Sequence, residues 1–165
     1  MRILLTIFSI LISSLANAFQ LTSTAFQNNQ MIPIQYTCHD DDISPPLAWF
    51  EPPVGTRSYA LIMNDPDAPK GNWVHWVLYN ISQTTSSLPE NFQPLYTHVR
   101  VGSNSWNKQS YGGPCPPSNI HRYIFTLYAL DQSLDLKAGL TDEQLLAVIS
   151  EHILGSAKLI GKYGE

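Results

Sequence analysis

Proline sets the first limit on what this chain can fold into. The stretches "DDDISPPLAW" (40–49), "FEPPVGT" (50–56), "DPDAPKGN" (65–72) and "NKQSYGGPCPPSNIH" (107–121) carry Pro, Gly, Asn and Asp at densities that only loops tolerate. A proline lacks the N–H that a helix interior or a sheet ladder needs. Between and around these loops lie short apolar, β-branched or aromatic runs: "FQLTSTAF", "IPIQYT", "SYALIMN", "WVHWVLYNI", "YTHVRVGS" and "RYIFTLYAL". Bounded by turn formers, they read as strands, so the chain reads as a loop-rich, mainly β domain. One late segment breaks the pattern. "TDEQLLAVISEHI" sets Thr141 and Gln144 at capping-box spacing and repeats Leu145, Ile149 and Ile153 four apart, which predicts a helix with Gly155 to end it. "SAKLIGKY" then reads as a short terminal strand or loop, and Glu151 as a solvated charge.

The first 18 residues follow a different logic. Arg2, the apolar run "ILLTIFSILISSL" and the small residues Ala16 and Ala18 read as a secretory signal peptide, cleaved after Ala18. No later run approaches the ~20 apolar residues of a membrane span. Residues 19–165 are therefore read as one domain in a periplasmic or secreted protein. With a formal net charge of −4 and its basic residues scattered singly, the chain is a poor candidate for nucleic acid. Cys38 and Cys115 would both meet an oxidising compartment. A disulfide between them is the default reading, worth around 4 kcal/mol in the chain-entropy account. Two free thiols are the alternative.

Alternation along the strands gives the first geometry. In "WVHWVLYNI", Trp73, His75, Val77 and Tyr79 are expected on one face and Val74, Trp76 and Leu78 on the other. In "HRYIFTLYAL", His121, Tyr123, Phe125 and Leu127 share a face, opposite Arg122, Ile124, Thr126 and Tyr128. Two imidazoles and a phenol make a small nest of hydrogen-bonding groups suited to an oxyanion. The loop before His121 would add backbone donors, with Gly112 and Gly113 allowing close approach and positive φ, and prolines holding the turn stiff. Asp65 and Asp67 read first as turn formers, with acid/base or metal chemistry as the alternative. "CHDDDIS" reads as a solvated acidic loop, Arg122 as half of an ion pair with Asp67, and Trp49 and Trp106 as core or rim.

Taken in order and spacing, "SPPLAW", "NDPDAP", "HWVLYNI" and "YGGPCPP…HRYIFTLYAL" resemble the phosphatidylethanolamine-binding protein family, also called Raf kinase inhibitor proteins, in its bacterial branch. The resemblance implies a large central antiparallel sheet packed on a smaller sheet, with one or two peripheral helices. It also implies a pocket for phosphate or a phosphoryl head-group at one end of the large sheet. Carried over position by position, the pocket residues are Asp65, His75, Gly113, His121 and Tyr123, with Pro66 and Pro114 at the rim and a cis proline nearby. Relatives with a longer insertion before the histidine strand line the pocket with an extra Tyr; here only "KGN" precedes Trp73.

The function expected is non-enzymatic binding of a small phosphate-like anion, with no cofactor or metal. Contact with a membrane would go no further than lipid head-groups. The alternatives are a protein-interaction or protease-inhibitor module with an unknown protein partner, a homodimer, and, last, a hydrolase using Ser110 or Ser118. No nucleophile elbow or zinc-binding H-E-x-x-H supports the last.

Overall fold

Strands too apolar for a half-solvated sheet need cover on both faces, and the chain supplies two different covers. The computed structural model describes residues 18–95 and 97–165, so the leader expected over 1–18 lies, Ala18 apart, outside the described residues. In chain order the elements are β1 (Gln20–Thr22), β2 (Gln30–Met31), β3 (Leu47–Phe50), β4 (Ser58–Asp65), β5 (Trp73–Ser82), β6 (Ser87–Leu88), β7 (Arg100–Val101), β8 (His121–Leu130), α1 (Asp142–Ile149) and β9 (Ile153–Tyr163). They form a six-stranded sheet ordered β2-β9-β8-β4-β5-β7 and a three-stranded sheet ordered β1-β3-β6. All pairs are antiparallel except β2 with β9. Among the described residues no helix is long and apolar enough to cross a membrane.

Tyr59, Leu61 and Met63 of β4, with Phe125 and Leu127 of β8, pack against Leu21, Leu47 and Trp49 of the small sheet. Ala60 and Ile62, which alternate with them, pack the other way with Leu145 and Ile149 of α1. Each of those two helix residues is fully buried, which stabilises the fold by roughly 1.5–3 kcal/mol apiece. The capping box forms: the Thr141 hydroxyl accepts from Gln144 N–H at 3.2 Å, and the Gln144 side chain accepts from Thr141 N–H at 3.0 Å.

Several elements differ from the sequence reading. The helix stops at Ile149 and a 3-10 turn, Ser150–His152, follows, so Ile153 joins the helix-side cluster as the first residue of a strand. Gly155 therefore sits inside β9, which runs eleven residues where a short strand or loop was expected. "IPIQYT" forms a 3-10 helix, Ile34–Tyr36, because Pro33 offers no ladder donor and Thr37 folds its hydroxyl back onto Ile34 O at 2.7 Å. β1 ends after three residues, where the Ser23 hydroxyl bonds Pro46 O and Ala25 N–H. "DDDISPPLAW" is loop only as far as Pro46.

The register of β5 carries the most consequential difference. Trp76 lies opposite Met63, but Val74 lies opposite Asn64, so His75 is an extra residue with no partner on β4. Such a bulge breaks the alternation. Val74 accordingly packs in the helix-side cluster with Val77 and Tyr79, and His75 is released from the face that strict alternation assigned it.

Close packing leaves no room at Gly161 of β9, where an added Cβ would lie 2.4 Å from Ile32 Cγ1 and 2.9 Å from Phe26 Cε2. Gly161→Ala is expected to lower stability by about 1–3 kcal/mol, read as an earlier midpoint in urea unfolding. An unchanged midpoint would mean that the β2–β9 edge gives way freely.

Candidate functional site

Antiparallel pairing brings the end of β4 and the starts of β5 and β8 to the same end of the large sheet. Asp65 is the last residue of β4, His75 the bulge near the start of β5, and His121 the first residue of β8. All three are buried polar side chains, Asp65 only 3% exposed. His121 Nδ1 donates to Asp65 Oδ2 at 2.7 Å, and the other carboxylate oxygen accepts Asp67 N–H at 2.8 Å. Asp65 thus closes the turn, as read, and also holds a histidine, a role the sequence reading did not assign it.

His75 is fixed from the other side. Its Nδ1 donates to Gly112 O at 2.7 Å, and Gly112 N–H returns a bond to His75 O at 3.1 Å. The ring meets Tyr123 edge-on at 5.2 Å and Trp106 edge-on at 5.0 Å. Burial pushes the His75 pKa below its ordinary value of 6.5, against the pull of the Gly112 carbonyl and of the Asp65 charge. In both histidines Nδ1 is taken, so Nε2 is the ring nitrogen left for a ligand.

These groups open onto a cavity of about 280 Å³, lined by Asp65, His75 and His121, by Trp73 and Trp106, and by Ala68, Pro69, Lys70, Cys115 and Pro117. The prolines on the cavity are Pro69 and Pro117, whereas Pro66 and Pro114, expected at the rim, do not line it. Pro66 sits inside the turn that Asp65 and Asp67 close, and Pro114 is buried with its carbonyl accepting Cys38 N–H at 3.2 Å. Tyr123 is wholly buried behind the wall, and its hydroxyl has no hydrogen-bond partner. Burial first, and then the Asp65 charge, hold that phenol protonated far above its ordinary range.

Gly113 acts as a fixing point rather than as cavity lining. Its N–H donates to Asp42 Oδ1 at 2.6 Å, and an added Cβ would lie 2.6 Å from Tyr36 O. Close approach is what both glycines provide; neither Gly112 nor Gly113 takes the positive φ expected of it. No peptide bond among the described residues is cis, and the Asp65–Asp67 turn closes with Pro66 in the less costly trans form. A disulfide joins Cys38 to Cys115. Arg122 faces away from the site and grips Asp67, Nε to Oδ2 at 2.8 Å and a terminal nitrogen to Oδ1 at 2.6 Å, which holds that carboxyl down near about 2.

Sequence reasoning passed over Lys70 and Trp73 as cavity residues and took Asp42 for a solvated charge. The signal for Lys70 was its place in the loop that returns from Asp65 to the His75 strand. For Asp42 no pattern in the sequence pointed to Gly113. Trp106 is a rim residue and Trp49 a core one, as read.

The family described as phosphatidylethanolamine-binding protein matches residues 22–164. A UPF0098 protein of Methanothermobacter thermautotrophicus is 46% identical over 146 residues, covering 87% of this chain and 97% of that protein. A solved structure, the putative phosphatidylethanolamine-binding protein homologue CT736 of Chlamydia trachomatis, superposes with a TM-score of 0.85 at 42% identity, covering 90% of this chain and 99% of that one. E. coli YbcL, titled a new member of the mammalian PEBP family, gives a TM-score of 0.83 at 27% identity, covering 89% and 98%.

Removing His121 would leave the Asp65 carboxylate buried with only the Asp67 N–H as partner. His121→Ala is expected to cost about 2–4 kcal/mol in urea unfolding at neutral pH. Arg122→Ala, which breaks an exposed pair, should barely move the midpoint. Equal effects from the two would place the anchor of this end of the sheet elsewhere.

Proposed function

This chain belongs to the phosphatidylethanolamine-binding protein family, and from that premise we propose that it is an exported binding protein whose cavity takes a small anion, phosphate or the phosphoryl part of a head-group. The observation that carries the reading is the floor of the cavity. A buried carboxylate–imidazole pair and a second buried imidazole converge at the base of otherwise largely apolar walls, with Lys70 among the lining residues. The apolar leader supports export, and a disulfide persists best in the compartment that export would reach. Binding, rather than turnover, fits the lining. Ser110 and Ser118, the hydroxyls a hydrolase reading would need, do not line this cavity.

The charge state decides when the cavity accepts an anion. With Nδ1–H of each histidine donated inward, a neutral ring turns a lone pair at Nε2 toward a ligand, and Asp65 adds a negative charge nearby. Protonation converts each Nε2 into a donor. His121 as imidazolium would neutralise Asp65, and His75 as imidazolium would leave the floor positive. Around His75, the Asp65 and Asp42 charges and the Gly112 and Gly113 carbonyls favour the charged ring, but burial outweighs them, so the free protein near neutrality holds it uncharged. The neutral ring's contribution to stability is whole above about pH 6.5 and declines as pH falls below it. A bound anion favours the charged form, so affinity should rise in the same direction.

Calorimetric titration with sulfate, which does not titrate in this range, and with phosphate tests the reading. Affinity for sulfate is expected to rise roughly tenfold or more from about pH 8 to about pH 5, with proton uptake, and His75→Gln should flatten the profile. An affinity that is flat with pH, or that falls as pH falls, would overturn it.

A further inference from the structure

Cys115 is exposed and lines the anion cavity, whereas its disulfide partner Cys38 is half-buried and does not. Both cysteines line a second cavity of about 270 Å³, together with Trp106, Gly112 and Gly113. Cys115 is therefore common to both cavities, whereas Cys38 lines only the second of the two. We propose that this disulfide is a thiol-exchange site in the wall of the cavity, and that its redox state and anion occupancy control one another. The proposal rests on the reading of that cavity as an anion site.

The chemistry follows from which sulfur can be reached. A thiolate attacks a disulfide sulfur in line with the S–S bond, from the side opposite the leaving sulfur. In the proposal that side, at Cys115, is the anion cavity, which Cys115 lines and Cys38 does not. Attack by one thiolate of a dithiol forms a mixed disulfide with Cys115 Sγ and expels Cys38 as thiolate. The second thiol of the reductant then displaces Cys115. Both protein sulfurs take up protons, and the two electrons come from the dithiol, which ends as its own disulfide. An anion seated in the cavity occupies the line of approach.

The reverse coupling comes from how the loop is tied. Upstream of Cys115, the loop keeps its place without the bridge: Gly112 N–H bonds His75 O, Gly113 N–H bonds Asp42, Tyr111 Oη–H bonds Tyr36 O, and Cys38 N–H bonds Pro114 O. Downstream the case differs. Among the described residues, no backbone hydrogen bond ties 116–120 to the rest of the chain before β8 begins, and Pro117 in that span is part of the cavity wall. Opening the bridge frees that wall while the histidines stay anchored. Coupling of this kind is reciprocal: whatever factor the anion contributes to keeping the bridge closed, the bridge contributes to anion affinity.

The test uses oxidised wild-type protein, dithiothreitol and inorganic phosphate at neutral pH, with chloride at matched ionic strength as control. Saturating phosphate is expected to slow thiol release roughly fivefold or more, and, as a separate equilibrium effect, reduction is expected to weaken phosphate binding about fivefold, within the usual range of such couplings. His75→Gln should lose the protection, and the double variant Cys38→Ser with Cys115→Ser should bind phosphate like the reduced protein. The protection measurement needs wild type alone, so it holds if the double variant fails to fold. Phosphate that binds the oxidised and reduced forms equally and leaves the release rate unchanged would overturn this inference and spare the anion site. Absence of phosphate binding to the oxidised protein would overturn both.

Discussion

A carboxylate at the end of a central strand, 3% exposed, cannot be left alone. Stripped of water and unpaired, it would cost several kcal/mol, more than a domain of this size can absorb beside its other demands. The chain meets the demand through register. β8 runs antiparallel to β4 with Ile124 opposite Asn64, so β8 starts beside the end of β4 and His121 reaches Asp65 Oδ2. The remaining oxygen takes Asp67 N–H and starts the turn that leads through Pro69 and Lys70 to β5. Arg122, one residue after His121, then clamps Asp67 with its backbone N–H and its guanidinium. One buried charge thereby fixes a strand pair, a turn and an imidazole, and the cavity is what remains between them.

Features that depend on neighbours in sequence were legible in the residues. The capping box at Thr141, the shared face of His121 and Tyr123, and the outward turn of Arg122 each follow from a spacing of one to four residues or from simple alternation. The large sheet packed on a smaller one, with the cluster of Asp65, His75 and His121 at its end, came from the motif resemblance rather than from any periodicity. What escaped depended on partners distant in the chain. The bulge at His75 exists only in relation to β4, and strict alternation therefore set His75 beside Val77 and Tyr79. β9 looked too polar for a long strand because Ser156 and Lys158 face solvent, yet β8 pairs with it along nearly its whole length. At Ile34–Tyr36, β-type composition lost to the missing donor of Pro33. Asp42 shows the same limit on the site side, since its role is set by Gly113, 71 residues away.

The stiff loop before β8 divides into two halves with different tasks. From Tyr111 to Cys115 it is bonded to the 36–42 segment and to β5, and it delivers the Gly112 carbonyl that fixes the His75 tautomer. A carbonyl can do this only if it does not move, which is why glycines that admit close packing and prolines that remove backbone freedom stand together here. From Pro116 to Ile120 the loop is largely exposed, and proline rigidity stands in for hydrogen bonds in holding Pro117 over the cavity. Order is imposed on the first half by contacts and on the second by covalent geometry, with the Cys38–Cys115 bridge at the junction.

The buried polar groups of the site share a consequence. Both histidines are held by the protein through Nδ1 and keep Nε2 free, His121 by Asp65 and His75 by Gly112, and the Tyr123 hydroxyl has no partner at all, whereas both Asp65 oxygens are engaged. A floor built from permanent cations would attract anions at any pH, but Asp65 would then pair with them permanently and the cavity would be filled by its own ions. In the proposed site the neutral, buried ring of His75 would avoid that outcome. Burial keeps His75 neutral in the free protein, and in the proposed binding reaction the energy that desolvation sets against protonation would be returned by a ligand of opposite sign. On the proposed reading, selectivity for small anions would come from the walls, since indoles and prolines offer a large ligand apolar contact but no second charge beyond Lys70.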